Sequence, residues 1–339
     1  MAENVMDQIV NSLRQNGTIY YPQHGELRNV RVVGHTPKSD HYIYDIVVDF
    51  AEGSERLAAK VYRQSKCGQQ GARSLAQTEF NNLTTVYENF SKKKLEGVPR
   101  PIGDYTEQAA VVAEKLTGVP LQSIIMKAAL LPGYADHGTL REAARATGEW
   151  LRRFHRATAD MPAPFDGIAL LGDLEKLCAN CKTSGLDDSS VRTIMSGTKS
   201  ILARTKKALP CSAVLNEFTP LNVIIGESGV GFADFAKMSM RGNSFQDVAL
   251  FLASVEALEK YPFCNRSITT ELQDEFLNAY GITAHDEQVL RVLKMRALLS
   301  MFAQGRGVKE SAVRKKVMWA TVMKRFIQQA AERSMTPAA

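Results

Sequence analysis

Apolar residues in the first part of the chain follow two different spacings. Over residues 4–15 they recur every three or four positions, as on the buried face of a helix. Three runs rich in β-branched and aromatic residues then predict an antiparallel meander at residues 27–34, 42–50 and 56–62. A helical pattern and two further strand-like runs complete a predicted sheet domain at residues 72–90, 101–105 and 109–116.

The remainder of the chain carries mainly the helical spacing. Gly118 follows the last strand-like run as a plausible hinge, so we predict a sheet domain of residues 1–117 and a helical domain of residues 118–339. Helices are predicted at residues 139–158, at 189–209 and from 246 onward, with a single β-hairpin at 223–225 and 230–232. The pattern therefore predicts an α+β protein.

Composition narrows the class of protein. The chain has 339 residues, of which 45% are hydrophobic and 23% charged, which is typical of a folded protein of about two domains. The five cysteines are few and odd in number, and the N-terminus lacks the pattern of an export signal, so we expect a cytoplasmic protein. No apolar stretch reaches the roughly 18 to 20 residues that a membrane span needs.

Three oxygen-bearing side chains surround the predicted hairpin. Glu217 and Asn222 precede it and Asp234 follows it. Phosphoryl transfer from ATP needs hard oxygen ligands for Mg²⁺ and an acceptor that orients the attacking hydroxyl. The pattern therefore predicts a catalytic and metal-binding segment, with Mg²⁺ as the cofactor.

A second pair of residues points to the same chemistry. Lys60 closes the third predicted strand between apolar residues, and Glu79 follows nineteen positions later on the next predicted helix. A strand lysine held by a helix glutamate is how kinases direct an ammonium group at ATP phosphates. We therefore predict that Lys60 contacts the nucleotide and that Glu79 positions Lys60.

With these motifs the chain resembles the aminoglycoside phosphotransferase and choline kinase-like group of small-molecule kinases. That group reads His-Gly-Asp-(Phe/Leu)-x-x-x-Asn, a hairpin, Asp-(Phe/Tyr/Trp) and a later Asp-Leu-Ala. The matching residues here are Phe218, Thr219, Pro220, Asn222, Asp234, Phe235 and the triplet Asp247-Val248-Ala249. Residues 114–121 resemble the group's hinge to adenine, and residues 151–155 resemble its helix that ends in Leu-His.

The resemblance implies a two-lobed protein-kinase-like fold, with an antiparallel sheet lobe and a mostly helical lobe that carries the catalytic hairpin. It implies ATP and Mg²⁺ as cofactors, with Asn222 and Asp234 as metal ligands and Glu217 at the acceptor hydroxyl. Glu114 and Leu116 would meet the adenine. Asp247 would brace the catalytic loop, although its place before an apolar run also fits a helix cap.

The chain departs from the group at the catalytic motif, where it reads Leu215-Asn216-Glu217. Glutamate is one methylene longer than aspartate, and a displacement of about 1 Å can cost on the order of a hundredfold in rate. Two functions therefore stay open: a phosphotransferase acting on a hydroxyl of a small molecule or saccharide, or a pseudokinase that serves as a regulatory or scaffolding module without turnover.

Positive charge is concentrated at the C-terminal end. The chain carries a net charge of +6, and residues 284–339 hold eleven basic and four acidic residues. They predict two amphipathic helices whose basic faces are either solvated or bind an anionic or lipid-linked acceptor or a membrane surface. Without an aromatic-rich stacking surface we expect no nucleic-acid partner. The sequence leaves the acceptor and the oligomeric state open.

Overall fold

The protein is described here from a computed structural model, which describes residues 2–130, 137–183, 185–205, 208–261, 264–306 and 319–335. The chain divides into two compact units. Unit 1 comprises residues 1–118 and 224–238, and unit 2 comprises residues 119–223 and 239–339. Residues 307–318 of the predicted basic C-terminal segment lie outside the described residues. Within those residues, no helix is long and apolar enough to cross a membrane.

Unit 1 is built on a four-stranded antiparallel sheet with strand order β1-β2-β3-β4. Its strands are β1 (Leu27–Pro37), β2 (His41–Phe50), β3 (Gly53–Tyr62) and β4 (Ala110–Glu114). The three predicted meander strands are confirmed, and each is longer than the apolar run because the ladder continues into polar residues. The predicted strand at residues 101–105 is wrong, since only Pro101 forms an isolated bridge, to Ala113.

Two helices complete this unit. Helix α1 (Ala2–Tyr20) buries Ile9 and Leu13 in the same apolar cluster as Ile46 and Leu57 of the sheet. Helix α2 (Gln64–Lys92) contains one non-helical residue, Gly68, and its long regular part carries Glu79. Both helices begin before their apolar pattern because polar residues extend the first turns.

A hairpin also groups with unit 1. Its strands are β8 (Val223–Gly226) and β9 (Gly229–Phe232). Three short strands precede them along the chain: β5 (Val119–Pro120), β6 (Asp160–Pro164) and β7 (Ala208–Val214). The predicted hairpin at residues 223–232 is therefore confirmed. Phe232 donates its backbone N–H to the carbonyl of Gly97 at 2.9 Å, which joins the hairpin to the rest of the unit.

Unit 2 is mainly helical. Its helices are α3 (Leu121–Leu130), α4 (His137–Ala157), α5 (Gly167–Lys182), α6 (Asp188–Leu202), α7 (Phe245–Glu256), α8 (Arg266–Tyr280), α9 (Ala284–Arg306) and α10 (Lys324–Met335). Aromatic rings fill its centre: Trp150 of α4 stacks on Phe218 with ring centroids 5.9 Å apart, and Phe251 of α7 stacks on Phe276 of α8 at 4.1 Å. Phe218, in the segment before the hairpin, is thereby anchored in the core.

A three-stranded sheet in this unit shows that the predicted number of strands was wrong. Strands β6, β7 and β10 (Ser239–Asn243) form a three-stranded sheet in the order β10-β7-β6, where the pattern predicted a single β interruption. The helix predicted over residues 189–209 ends at Leu202, and Leu209 lies in β7. The apolar run at residues 208–214 is buried as a central strand, which a helical spacing cannot reveal.

Two basic residues of α9 form ion pairs. Lys294 lies 2.6 Å from the Glu256 carboxylate, and Arg296 lies 3.1 Å from that of Asp173. Apolar residues of α9, including Val292 and Leu298, are fully buried. For this helix the geometry favours a structural role of its charges over an open basic face.

Candidate active site

Two carboxylate side chains of unit 1 contact the ammonium group of Lys60. Its Nζ lies 3.0 Å from Oε1 of Glu79 and 3.1 Å from Oδ1 of Asp234. The lysine comes from β3, the glutamate from α2, and the aspartate from the segment after β9. Residues 174 positions apart in the chain are thus brought to one ammonium group. The structure places three of the residues singled out from the sequence in a single cluster.

Burial sets the electrostatics of this cluster. The side chain of Glu79 is 3% exposed, that of Lys60 14% and that of Asp234 31%. Burial alone would lower the pKa of Lys60, but the two carboxylates outweigh it and the net shift is upward. Burial alone would raise the pKa of Asp234, but Lys60 turns the net shift downward. At neutral pH the cluster therefore presents a fixed ammonium beside an ionised carboxylate.

Two further side chains, which the sequence analysis did not single out, line the cluster. Tyr62 donates its hydroxyl to Oε2 of Glu79 at 2.6 Å, and burial followed by the glutamate charge raises the tyrosine pKa. His41 lies with its ring centroid 5.8 Å from that of Tyr62, and burial followed by Lys60 lowers its pKa. Tyr62 could have been found from the sequence, because it lies two positions after Lys60 and alternate strand residues share a face.

The segment that carries Asp234 is held by α2. Asn82 is buried and donates its side-chain amide to the carbonyls of Phe235, at 2.9 Å, and Met238, at 3.2 Å. Asp234 also accepts the backbone N–H of Ala236 at 3.3 Å. The helix that positions Lys60 through Glu79 thus also positions the chain after Asp234, one turn further along. No sequence motif pointed to Asn82.

The predicted hinge residues have different environments. The carboxylate of Glu114 accepts hydrogen bonds from Arg100 at 2.9 Å and from the Tyr21 hydroxyl at 3.1 Å, so its side chain is engaged with the rest of unit 1. The side chain of Leu116 packs beside Gly231 of β9, where a Cβ would approach it to 2.7 Å. The Glu114 carboxylate therefore serves the packing of the sheet unit.

The loop before the hairpin lies in unit 2 and is braced by a buried carboxylate. Asp247 is fully buried and accepts the backbone N–H groups of Leu215, at 2.7 Å, and Asn216, at 2.8 Å. His155 lies 3.1 Å from the same carboxylate through Nε2 and 2.8 Å from the Tyr280 hydroxyl through Nδ1. Of the two interpretations of Asp247, the bracing role is the one observed, and Ser244 precedes the first turn of α7.

The backbone of this loop explains one departure of the catalytic motif. Asn216 has φ 60°, in the left-handed region that glycine adopts most easily. Asparagine tolerates this region better than other residues with a side chain. Asn216 thus stands at the position of glycine in the motif that the sequence resembles, and its backbone adopts a conformation that glycine would also adopt easily.

The predicted catalytic and metal-binding residues of unit 2 are joined through the backbone. Asn222 donates its side-chain amide to the carbonyl of Glu217 at 3.0 Å, which leaves the amide oxygen as the atom that can face a cation. Thr219 donates its N–H to the same carbonyl at 2.8 Å. An amide oxygen, like the ionised carboxylate of Asp234 in unit 1, is a donor type that Mg²⁺ prefers, so the chemistry of each residue by itself fits this metal.

Soft metal ligands do not assemble in the described part of the chain. Cys178 and Cys181 are buried, and burial raises the pKa of the first thiol to about 11 and of the second to about 12. No group of three or more His, Cys, Asp or Glu side chains with metal-binding geometry is found among the residues described. Cys178 and Cys181, which are three positions apart in α5, therefore belong to core packing.

Comparison with solved structures identifies the fold. The chain is similar to glucosamine kinase in complex with glucosamine, ADP and inorganic phosphate, at 14% identity over 91% of this chain and 95% of that one, with a TM-score of 0.51. It is similar to choline kinase LicA from Streptococcus pneumoniae, at 12% identity over 96% and 99%, with a TM-score of 0.52.

A thermostable mutant of aminoglycoside phosphotransferase APH(4)-Ia, in complex with AMP-PNP and hygromycin B, matches at 14% identity over 95% of this chain and 99% of that one, with a TM-score of 0.54. No protein-family model and no curated protein sequence matches the chain. At these identities the likeness shows the fold. The predicted protein-kinase-like fold, and the resemblance to small-molecule kinases at the level of the fold, are confirmed.

Proposed function

We propose that this protein is an ATP- and Mg²⁺-dependent phosphotransferase that acts on a hydroxyl group of a small molecule or saccharide. The observation that carries the proposal is the position of Lys60 between Glu79 and Asp234, at 3.0 and 3.1 Å. A buried ammonium held by a helix carboxylate, beside an ionised aspartate, is the arrangement that kinases use to bind nucleotide phosphates. Similar solved structures carry ADP or AMP-PNP.

Each predicted site residue has a proposed role. The ammonium of Lys60 would contact the ATP phosphates, with Glu79 holding it in place. Asp234 and the amide oxygen of Asn222 would supply ligands to Mg²⁺, which neutralises phosphate charge when bound. Glu217 would accept a hydrogen bond from the acceptor hydroxyl and orient it. The adenine would lie against residues 114–118, with Glu114 and Leu116 in that segment.

The test is a screen of hydroxylated metabolites and saccharides for acceptor-stimulated ADP release in the presence of Mg²⁺. The proposal expects at least one acceptor to stimulate release, and it expects Asp234→Ala and Glu217→Ala to abolish that stimulation. Glu227→Ala serves as the matched control, because Glu227 is an exposed acid in the hairpin turn. ADP release that survives Asp234→Ala would contradict the proposed metal-binding role.

A second candidate function rests on the replacement of His-Gly-Asp by Leu215-Asn216-Glu217. A pseudokinase would bind Mg-ATP and act as a regulatory or scaffolding module without turnover. Both functions predict that Mg-ATP raises the melting temperature. Only the enzyme predicts acceptor-dependent turnover, and only the enzyme predicts that Glu217→Asp, which keeps the carboxylate, retains more of it than Glu217→Ala.

The acceptor is proposed at the level of its class. The similar structures are a glucosamine kinase, a choline kinase and an aminoglycoside phosphotransferase, whose names denote small hydroxylated acceptors. An anionic or lipid-linked acceptor, and contact with a membrane surface, stay proposals that depend on the basic C-terminal segment. We further propose a cytoplasmic location, and fractionation of cells that express the tagged protein tests it.

A further inference from the structure

A cavity of about 490 Å³ lies in unit 2 among α4, the start of β7 and the end of α8. Its lining includes Arg152, His155 and Arg156 of α4 and Tyr280 of α8. Arg152 and Arg156 are four positions apart on one helix, so their side chains lie on the same face. The volume is within the range of pockets that hold small metabolites.

Arg152 is half-buried and Arg156 is exposed, and they differ from the acidic residues of the lining in their hydrogen bonding. The Nε of Arg152 is buried and has no hydrogen-bond partner in the described residues. By contrast, the acidic residues of the lining already have donors, since Asp160 lies 3.3 Å from Arg241 and Asp286 accepts the Thr283 hydroxyl at 2.7 Å. The cavity is thus lined by two guanidinium groups, whose planar forks fit phosphate or carboxylate oxygens, and one of them has a buried Nε without a partner among the residues described.

The same cavity reaches the brace of the catalytic loop. His155 and Tyr280 line it, and they are bonded to each other at 2.8 Å. His155 continues to Asp247 at 3.1 Å, and Asp247 holds the backbone N–H groups of the loop before Glu217. A continuous chain of buried polar contacts therefore joins the cavity wall to that loop.

We propose that this cavity binds a small oxyanion, the phosphate or carboxylate group of a metabolite, through Arg152 and Arg156, and that the bound anion stabilises the catalytic loop through Tyr280, His155 and Asp247. The ligand neutralises the two guanidinium groups and satisfies the buried Nε. Because the cavity lies wholly within unit 2, this binding is independent of the proposed nucleotide contact at Lys60.

Isothermal titration of the full chain with inorganic phosphate, a hexose 6-phosphate and succinate tests the binding. We expect at least one probe to bind, with an affinity that falls about tenfold or more in Arg152→Gln and in Arg156→Gln. Arg153→Gln is the matched control, since Arg153 is an exposed residue of the same helix that does not line the cavity.

Hydrogen exchange of residues 211–217, measured with and without the tightest probe, tests the coupling to the loop. We expect the probe to slow exchange in the unmodified chain and in Arg153→Gln, and to have no effect in Arg152→Gln. The proposal is overturned if no probe binds or if Arg153→Gln loses as much affinity as Arg156→Gln. It is also overturned if probe binding leaves hydrogen exchange of residues 211–217 unchanged, or if Arg152→Gln lowers the melting temperature but not the affinity for the probe.

Discussion

Replacing Lys60 by methionine removes the positive charge between two carboxylates while keeping the length of the side chain. Glu79, 3% exposed, then has no cation within bonding distance among the residues described, and Asp234 loses the ammonium at 3.1 Å. Removing one partner of a buried ion pair costs about 3–5 kcal/mol, because a buried charge is left without compensation. We expect Lys60→Met to lower the free energy of unfolding by that amount.

A second variant, Glu79→Gln, separates the energy of the Lys60–Glu79 pair from the other effects of replacing Lys60. In Glu79→Gln, Lys60 keeps its contact with Asp234, so the expected loss is about 2 kcal/mol, the value of one buried hydrogen bond to a charged group. The double variant, Lys60→Met with Glu79→Gln, removes both charges of this pair, so neither is left buried without its partner. Its loss should therefore be about 2 kcal/mol smaller than the sum of the two single losses, within the range measured for contacting residues.

The pH dependence gives a second and independent measurement. Burial raises the pKa of Glu79, and removal of Lys60 takes away the charge that opposes this rise. In Lys60→Met the folded protein then binds a proton at Glu79 more tightly than the unfolded chain does. Stability is therefore gained below the folded-state pKa and lost as the pH rises through it. The deficit of Lys60→Met should be smaller at pH 5 than at pH 8, and Glu79→Gln should remove this difference.

Urea unfolding of the four proteins at pH 5 and pH 8 provides the measurements. Lys115→Met is the control, since Lys115 and Asp45 form an ion pair in the same unit at 2.6 Å with both side chains 31% exposed. An exposed pair of this kind contributes at most about 1 kcal/mol. Single-variant losses that add within about 0.5 kcal/mol, or a Lys60→Met deficit that is equal at the two pH values, would refute the assigned coupling.

Five further substitutions, at four positions, test the packing of unit 2. Asp247→Asn should lower the free energy of unfolding by at least about 2 kcal/mol and speed hydrogen exchange at residues 215–216. The reason is that one of the two backbone N–H groups held by Asp247 then meets an amide donor. Unchanged exchange would contradict the bracing role of Asp247. Asn216→Gly should be neutral and Asn216→Ala should cost about 1 kcal/mol in thermal unfolding, because φ is 60°. Gly197→Ala should lower the free energy of unfolding by about 1–3 kcal/mol, since its Cβ would lie 2.3 Å from the Met335 carbonyl oxygen. Gly172→Ala, whose Cβ would have nothing within 4 Å, should raise the free energy of unfolding by about 0.5–1 kcal/mol. Equal effects of the two substitutions would argue against close contact of α6 and α10.

The sequence predicted the parts of the fold whose apolar spacing is regular. The meander strands and the hairpin have alternating or continuous apolar residues between turn formers, and they were placed correctly. Strand β6 was missed because its five residues include Pro162 and Pro164, which are tolerated in a sheet only at an edge. Strand β10 was missed because exposed polar residues and Gly242 give it no apolar pattern.

The site was predictable where side chains follow a motif and not where tertiary packing supplies them. Lys60, Glu79 and Asp234 follow an order that implies a shared site, and the structure brings them together. Asn82 escaped notice because a buried asparagine on a helix has no local signature, and its partners lie more than 150 positions away. Such contacts are determined by the packing of α2 against the segment after the hairpin.

The bracing geometry also shows which part of the altered motif bears on chemistry. Asp247 bonds the backbone N–H groups of Leu215 and Asn216, and every residue except proline offers this group, so the brace does not need histidine or glycine side chains. Leu215 is fully buried and Asn216 keeps the left-handed backbone conformation. Two of the three replacements thus leave the loop backbone braced, and the third, Glu217, retains a carboxylate on a side chain one methylene longer than that of aspartate.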